Sequence, residues 1–157
     1  MDIHDELTIE TLCTRTLNRY AIAAGEHDYA GFSALFTEGG EWRRPGQEPL
    51  IGRDQIHTFI QSALPDDMLV RHVNGSVRVD VVSETEARAI SYTSVYNMPA
   101  HEGGIASMPG PEYIVEYRDV MRREGGEWLI AMRDTFLIFR NDNASDLPGI
   151  PNPNRET

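Results

Sequence analysis

The sequence predicts an α+β domain, with N-terminal helices packed on one face of a curved antiparallel sheet. Two textures carry that expectation. Up to about residue 64, apolar side chains recur at helical spacing. From Val70 onward the chain runs in long β-branched and aromatic stretches over 70–82, 86–98, 112–123 and 127–140, separated by turn or loop residues. A third observation sets the scale. The 157 residues, 40% hydrophobic and 25% charged, suit one globular core, and a chain of this length buries roughly 70% of its unfolded surface.

Residues 5–26 are expected to form the first helix, because Ile9, Leu12, Cys13, Thr16 and Tyr20 fall on one stripe. That phase turns Tyr20 inward and makes Cys13 a buried, unreactive thiol. Gly25 is the expected helix end, and Asp28 the cap of a short second helix through Phe32, Leu35 and Phe36. A short strand from Glu41 to Arg44 stops at Pro45-Gly46. A third helix follows Gly52, with Asp54 in its first turn and Ile56, Phe59, Ile60 and Ala63 at helical spacing. Among the long strands, Gly125-Gly126 reads as a hairpin turn and Gly75 as a candidate bulge. The segment 99–111, PAHEGGIASMPGP, is either a pocket rim or lid, or a plain hairpin connection. Residues 1–140 are expected to make a single domain and 141–157 an extended tail, which is rich in Pro and Asn.

Composition narrows the function classes. Lys and Arg number 14 against 25 Asp and Glu, a formal net charge of -11, which repels phosphate backbones and argues against a nucleic-acid partner. No apolar run approaches the roughly 20 residues needed to span a bilayer, so no membrane partner is expected. The acidic opening MDIHDELTIE is unlike a signal peptide, and the expected location is the cytoplasm. One cysteine permits neither an internal disulfide nor a multi-cysteine metal site. His4, His27, His57, His72 and His101 lack metal-ligand spacing, and no glycine-rich phosphate loop or GxSxG signature occurs. No cofactor and no metal is expected.

Four ordered stretches carry a resemblance. They are Arg19-Tyr20-Ala21 followed by His27-Asp28 and Phe32-Ser33-Ala34-Leu35-Phe36; Ile51-Gly52-Arg53; Arg71-His72; and Tyr117-Arg118-Asp119 leading to Gly126-Glu127-Trp128 and Arg133. Together they span about residues 8 to 140 and resemble the SnoaL-like proteins of the NTF2-like superfamily, a group that holds polyketide cyclases, scytalone and bile-acid dehydratases and, more distantly, ketosteroid isomerase. The resemblance implies a cone-shaped fold around one pocket for a small, apolar, ring-containing ligand. It also implies a homodimer packed sheet to sheet. Dehydratases of this group pair a His at the position of His72 with an Asp at the position of Gly25, and ketosteroid isomerase carries its base at the position of Arg44. Both acidic partners are replaced in this chain. The isomerase-like donor pair is expected to persist as Tyr20 and a protonated Asp119, since an apolar site raises a carboxyl group's pKa.

The catalytic candidates are therefore His72, Tyr20 and Asp119, and the substrate-binding candidates are Trp42, Asn74, Tyr92, Tyr96 and Phe136. His72 is either an acid/base, suited by an imidazole pKa near 6.5, or a hydrogen-bonded structural histidine. Tyr20 either donates to a substrate oxygen or bonds backbone in the core. Asn74 shares a strand face with His72 unless Gly75 bulges. The aromatics would line a cavity for a flat ring or simply fill the core. Three functions fit these residues: a cofactor-free lyase or isomerase that moves a proton on a cyclic ketone or alcohol, a ligand-binding protein without chemistry, and a subunit like the small subunit of ring-hydroxylating dioxygenases.

Overall fold

A computed structural model describes residues 1–99 and 103–143. Helices α1 (Ile3–Glu26) and α2 (Tyr29–Ala34) lead into β1 (Phe36–Arg43), β2 (Leu50–Ile51) and α3 (Arg53–Ala63). Four long strands follow: β3 (Met68–Val81), β4 (Glu86–Pro99), β5 (Tyr113–Glu124) and β6 (Glu127–Arg140). The α+β architecture and the long strands are as expected. The segment 100–102 and the tail from residue 144 lie outside the described residues; of the expected rim over 99–111, Pro99 lines the cavity described below and 103–111 do not.

The sheet runs in the order β2-β1-β6-β5-β4-β3 and is mixed rather than wholly antiparallel, because β1 lies parallel to β6. These two strands come from opposite ends of the fold, so no hairpin dictates their direction. The strands β3 to β6 form the expected antiparallel meander. At the β5–β6 turn Gly125 and Gly126 have φ of 60° and 86°, the left-handed pair that a two-residue hairpin loop requires. The bulge expected at Gly75 is present as a register shift between Gly75 and Val77, with Ser76 at φ 43°. Two further shifts interrupt the β5–β6 ladder, at Ile114/Val115 and Val120/Met121. Each places an extra residue on one strand and bends it, curving the sheet around α1.

Helix α1 starts at Asp2, whose carboxylate accepts from the His4 and Asp5 amides in a capping box. It does not stop at Gly25. It continues to Glu26, and His27 takes the left-handed cap position at φ 56°. Gly25 is small for a different reason: a Cβ there would lie 3.1 Å from the Val70 carbonyl oxygen of β3. Asp28 does cap α2, accepting from the Gly31 amide at 2.8 Å, but that helix ends early and Phe36 opens β1.

The helical layer is tied to the sheet by buried apolar and polar contacts. Cys13, Leu17, Phe32, Phe36, Ile56, Val70, Met121 and Ile130 fill the core. Burial pushes the Cys13 thiol up to about 12, consistent with an inert side chain. The Thr16 hydroxyl donates to the Trp128 carbonyl. Asn74 donates to the Leu17 carbonyl at 2.9 Å and accepts from the Thr93 hydroxyl at 2.7 Å. Its amide thus clamps α1 to β3 and β4, and it is not among the residues lining the cavity described next.

Candidate functional site

A cavity of about 480 Å³ lies on the concave face of the sheet, against α1 and α3, within the usual range for small-molecule sites. Trp42, Phe59, Met68, Val115 and Leu137 give it apolar walls, and Tyr20, Tyr117, His72, Arg44 and Asn97 bring polar atoms to it. A wider groove of about 930 Å³ follows α1 past Arg15, Ile22 and Glu127. That groove is helix surface and holds none of the buried polar groups.

Strand alternation builds the deep wall. Asp119 on β5 pairs with Arg133 on β6, and Tyr117 pairs with Thr135, so all four point to the concave side. Arg133 Nε donates to Asp119 Oδ1 at 2.7 Å and Nη2 donates to Oδ2 at 2.8 Å, with both side chains essentially inaccessible. The guanidinium carbon sits 4.1 Å from the Tyr20 ring centre and 4.0 Å from that of Tyr117. Burial alone would favour discharging Arg133, but the Asp119 carboxylate more than offsets it and holds the guanidinium charged. Burial raises the Tyr20 phenol well above its ordinary range, with Tyr117 adding to the rise and Arg133 opposing it. Burial raises Tyr117 as well, again against the Arg133 charge. Both phenols are therefore protonated donors at neutral pH.

The expectation for Asp119 changes accordingly. Both of its oxygens accept from Arg133, so it offers no proton to the cavity, which it does not line. The partner of Tyr20 at the wall is Tyr117, with the two ring centres 5.8 Å apart.

His72 lies on β3 opposite Val95, its ring centre 6.4 Å from that of Tyr20. Its Nδ1 is buried without a hydrogen-bond partner, which leaves Nε2 as the nitrogen open to the cavity. Desolvation first, and the Arg133 charge second, lower its pKa to about 4. The imidazole is thus neutral across the physiological range. Gly25 lies behind this strand, its missing Cβ facing the Val70 carbonyl and the Arg71 side chain.

Trp42 lines the cavity as expected, its indole donating to the Thr135 hydroxyl at 2.9 Å. Tyr92, Tyr96 and Phe136 do not. On β4 the buried set is Ala87, Ala89, Ser91, Thr93 and Val95, so Tyr92 and Tyr96 have the opposite phase and face the convex side. Phe136 points there too, with the Arg118 guanidinium 5.1 Å from its ring centre. Of the expected residues, the fold brings together His72, Tyr20 and Trp42. The sequence reading missed Tyr117, Arg133 and Arg44. Counting outward from the glycine turn would have put Asp119 opposite Met132, and the one-residue shift at Val120/Met121 brings Arg133 there instead.

Solved structures with similar folds place the chain in context. It is similar to a Novosphingobium aromaticivorans protein assigned as a candidate scytalone dehydratase (TM-score 0.80, 18% identity, 99% of this chain and 100% of that one). It is also similar to an NTF2-like protein of cystatin-like fold from the same organism (0.67, 22%, 85% and 84%) and to Aln2 from a Streptomyces species (0.70, 24%, 84% and 91%). At these identities the likeness is one of fold. No functionally curated protein matches the chain significantly. The SnoaL-like domain family model matches residues 5–134, and the chain, folded as the NTF2-like α+β cone, belongs to that family.

Proposed function

We propose that the cavity serves a cofactor-free lyase or isomerase that moves a proton on an apolar cyclic ketone or alcohol. One observation carries this reading: two protonated phenols at the cavity wall stack on the faces of a buried, charged arginine. A substrate carbonyl oxygen placed there accepts a hydrogen bond from Tyr117, whose own oxygen accepts from Tyr20. As the neighbouring C–H bond breaks, its electron pair moves into the ring and negative charge grows on that oxygen. The Arg133 cation behind the phenols stabilises this charge in a site with little water. Neutral His72 takes the proton at Nε2, then returns it to another carbon in an isomerisation or to a departing hydroxyl in a dehydration. Asp119 acts through Arg133 as a positioning residue, and the joined surface of Trp42 and Phe59 packs against the ring.

The test is proton exchange on a simple ring ketone. With 2-tetralone in deuterated water, followed by NMR, the protein should speed exchange at the carbon next to the carbonyl, and Tyr117→Phe should slow that exchange. Binding of the ketone without any gain over buffer would instead support a second reading, a ligand-binding protein. The lowered pKa of His72 and the glycine at position 25 favour that alternative, since an imidazole with pKa near 4 is a weak base.

A homodimer is also proposed. The convex face exposes Val73, Tyr92, Phe136, Ile138 and Phe139, an apolar set that a second copy would cover. Light scattering that gives the monomer mass at micromolar concentration would refute it.

A further inference from the structure

The cavity wall carries one charge that the proton-transfer reading does not use. Arg44 follows the end of β1, and its guanidinium lies 4.0 Å from the Phe59 ring centre and 5.9 Å from that of Trp42. It is half-buried and lines the cavity. Nη1 donates to Gln47 Oε1 and Nη2 to the Glu48 carbonyl at 3.1 Å, both neutral acceptors, while Nε is buried without a partner. No ion pair joins Arg44 to a carboxylate among the described residues, in a chain whose net charge is -11. Desolvation lowers its pKa, and the Tyr20 phenol opposes that drop.

We propose that Arg44 recognises a carboxylate on the ligand, so that the substrate class is a flat or cyclic acid. The inference rests on the ligand cavity proposed above. A cation stacked on aromatic rings and hydrogen-bonded only to neutral groups keeps its charge available to an incoming anion. The opposing charges at the rim do not cancel it. Asp67 is exposed and screened by water, and neither it nor Glu112 forms a salt bridge with Arg44 among the described residues. Gln47 and the Glu48 carbonyl hold the guanidinium in place beside the rings. A ring packed against Trp42 and Phe59, which meet edge to face, would then present its acid group to Arg44 and its carbonyl to the tyrosine pair, and the separation of the two would set which ring position reacts.

The probes are 2-naphthoate and 2-naphthamide, which share a shape and differ in charge, titrated calorimetrically into the wild type, Arg44→Gln and Arg44→Lys. The expected result is that the wild type prefers the acid by about tenfold, or about 1.4 kcal/mol. Arg44→Gln should erase the preference while leaving amide affinity within about twofold, and Arg44→Lys should keep part of it. Equal or better binding of the amide by the wild type would overturn the inference, as would an acid preference that survives in Arg44→Gln. Binding of neither compound would overturn it as well. The uncharged 2-tetralone exchange assay still judges the proton-transfer reading in each of these cases, because that probe has no group for Arg44 to hold.

Discussion

Two arginine-carboxylate pairs sit within a few residues of each other on the β5–β6 hairpin, on opposite faces of the sheet. On the convex face Arg118 Nε meets Glu116 Oε1 at 2.6 Å, with Phe136 as its aromatic neighbour. On the concave face Arg133 meets Asp119 at 2.7 Å, with Tyr20 and Tyr117 as its neighbours. Residue types and distances are nearly the same, but the Arg118 side chain is 60% exposed and that of Arg133 is 1% exposed. Water decides what each is worth. An exposed pair is screened and contributes roughly 0–1 kcal/mol, whereas breaking a buried pair costs about 3–5 kcal/mol because the surviving charge has no solvent. The buried pair as a whole is still a poor source of stability, since apolar replacements of both members are often neutral or better. Its presence at the cavity is better explained by what the guanidinium does to the phenols stacked on it.

The sharpest way to break this comparison is to remove one member of the buried pair. Arg133→Met should lower unfolding stability in urea by about 3–5 kcal/mol, and Arg133→Met with Asp119→Leu should recover most of that loss while proton exchange on 2-tetralone stays abolished. A double variant as unstable as the single one would show that the pair itself holds the fold. Next in size, Tyr117→Phe should keep the melting behaviour and slow exchange by about 10²–10³-fold, the scale for one donor to a developing oxyanion. An unchanged rate would take Tyr117 out of the chemistry.

A smaller effect comes from His72. Folded, it resists protonation until about pH 4, whereas unfolded it titrates near 6.5. Between those values the unfolded chain binds more protons, so stability falls as pH drops through the window and rises again toward neutrality. The total is at most about 3 kcal/mol. Comparing urea midpoints of the wild type and His72→Gln at pH 4.5 and 7 should show this slope only in the wild type. If both slopes match, the histidine is not desolvated. The smallest effect belongs to the convex pair: Arg118→Ala should change stability by less than about 1 kcal/mol, and a larger loss would show that this face is covered in solution.

What the sequence made legible follows from periodicity. The four long strands, α1, α3 and the bulge at Gly75 are written in spacings of two or three to four residues and in turn glycines. The inward placement of Tyr20 followed from the same helical stripe. Aromatic character without phase puts Tyr92, Tyr96 and Phe136 in the cavity, whereas the small buried residues of β4 turn Tyr92 and Tyr96 to the convex face and the pairing with Glu116 turns Phe136 there. Asp119 reads as a donor in the sequence alone, whereas its chemistry depends on a residue 14 positions later, across a shifted register. The parallel run of β1 beside β6 left no local trace, since it joins segments nearly 100 residues apart. The glycine at position 25 looked like a helix end, whereas it marks close approach of two backbones.

The shift at Val120/Met121 also offers a handle for redesign. Ala131 is the extra residue there: Met121 faces Ile130, Val120 faces Met132, and Asp119 faces Arg133. Deleting Ala131 would leave each of these partners opposite the same residue and would only straighten the strand. The volume of the cavity is thus adjustable by the backbone alone, through the loss of one small residue that does not line it, and a pocket of different size could be made with every wall side chain unchanged.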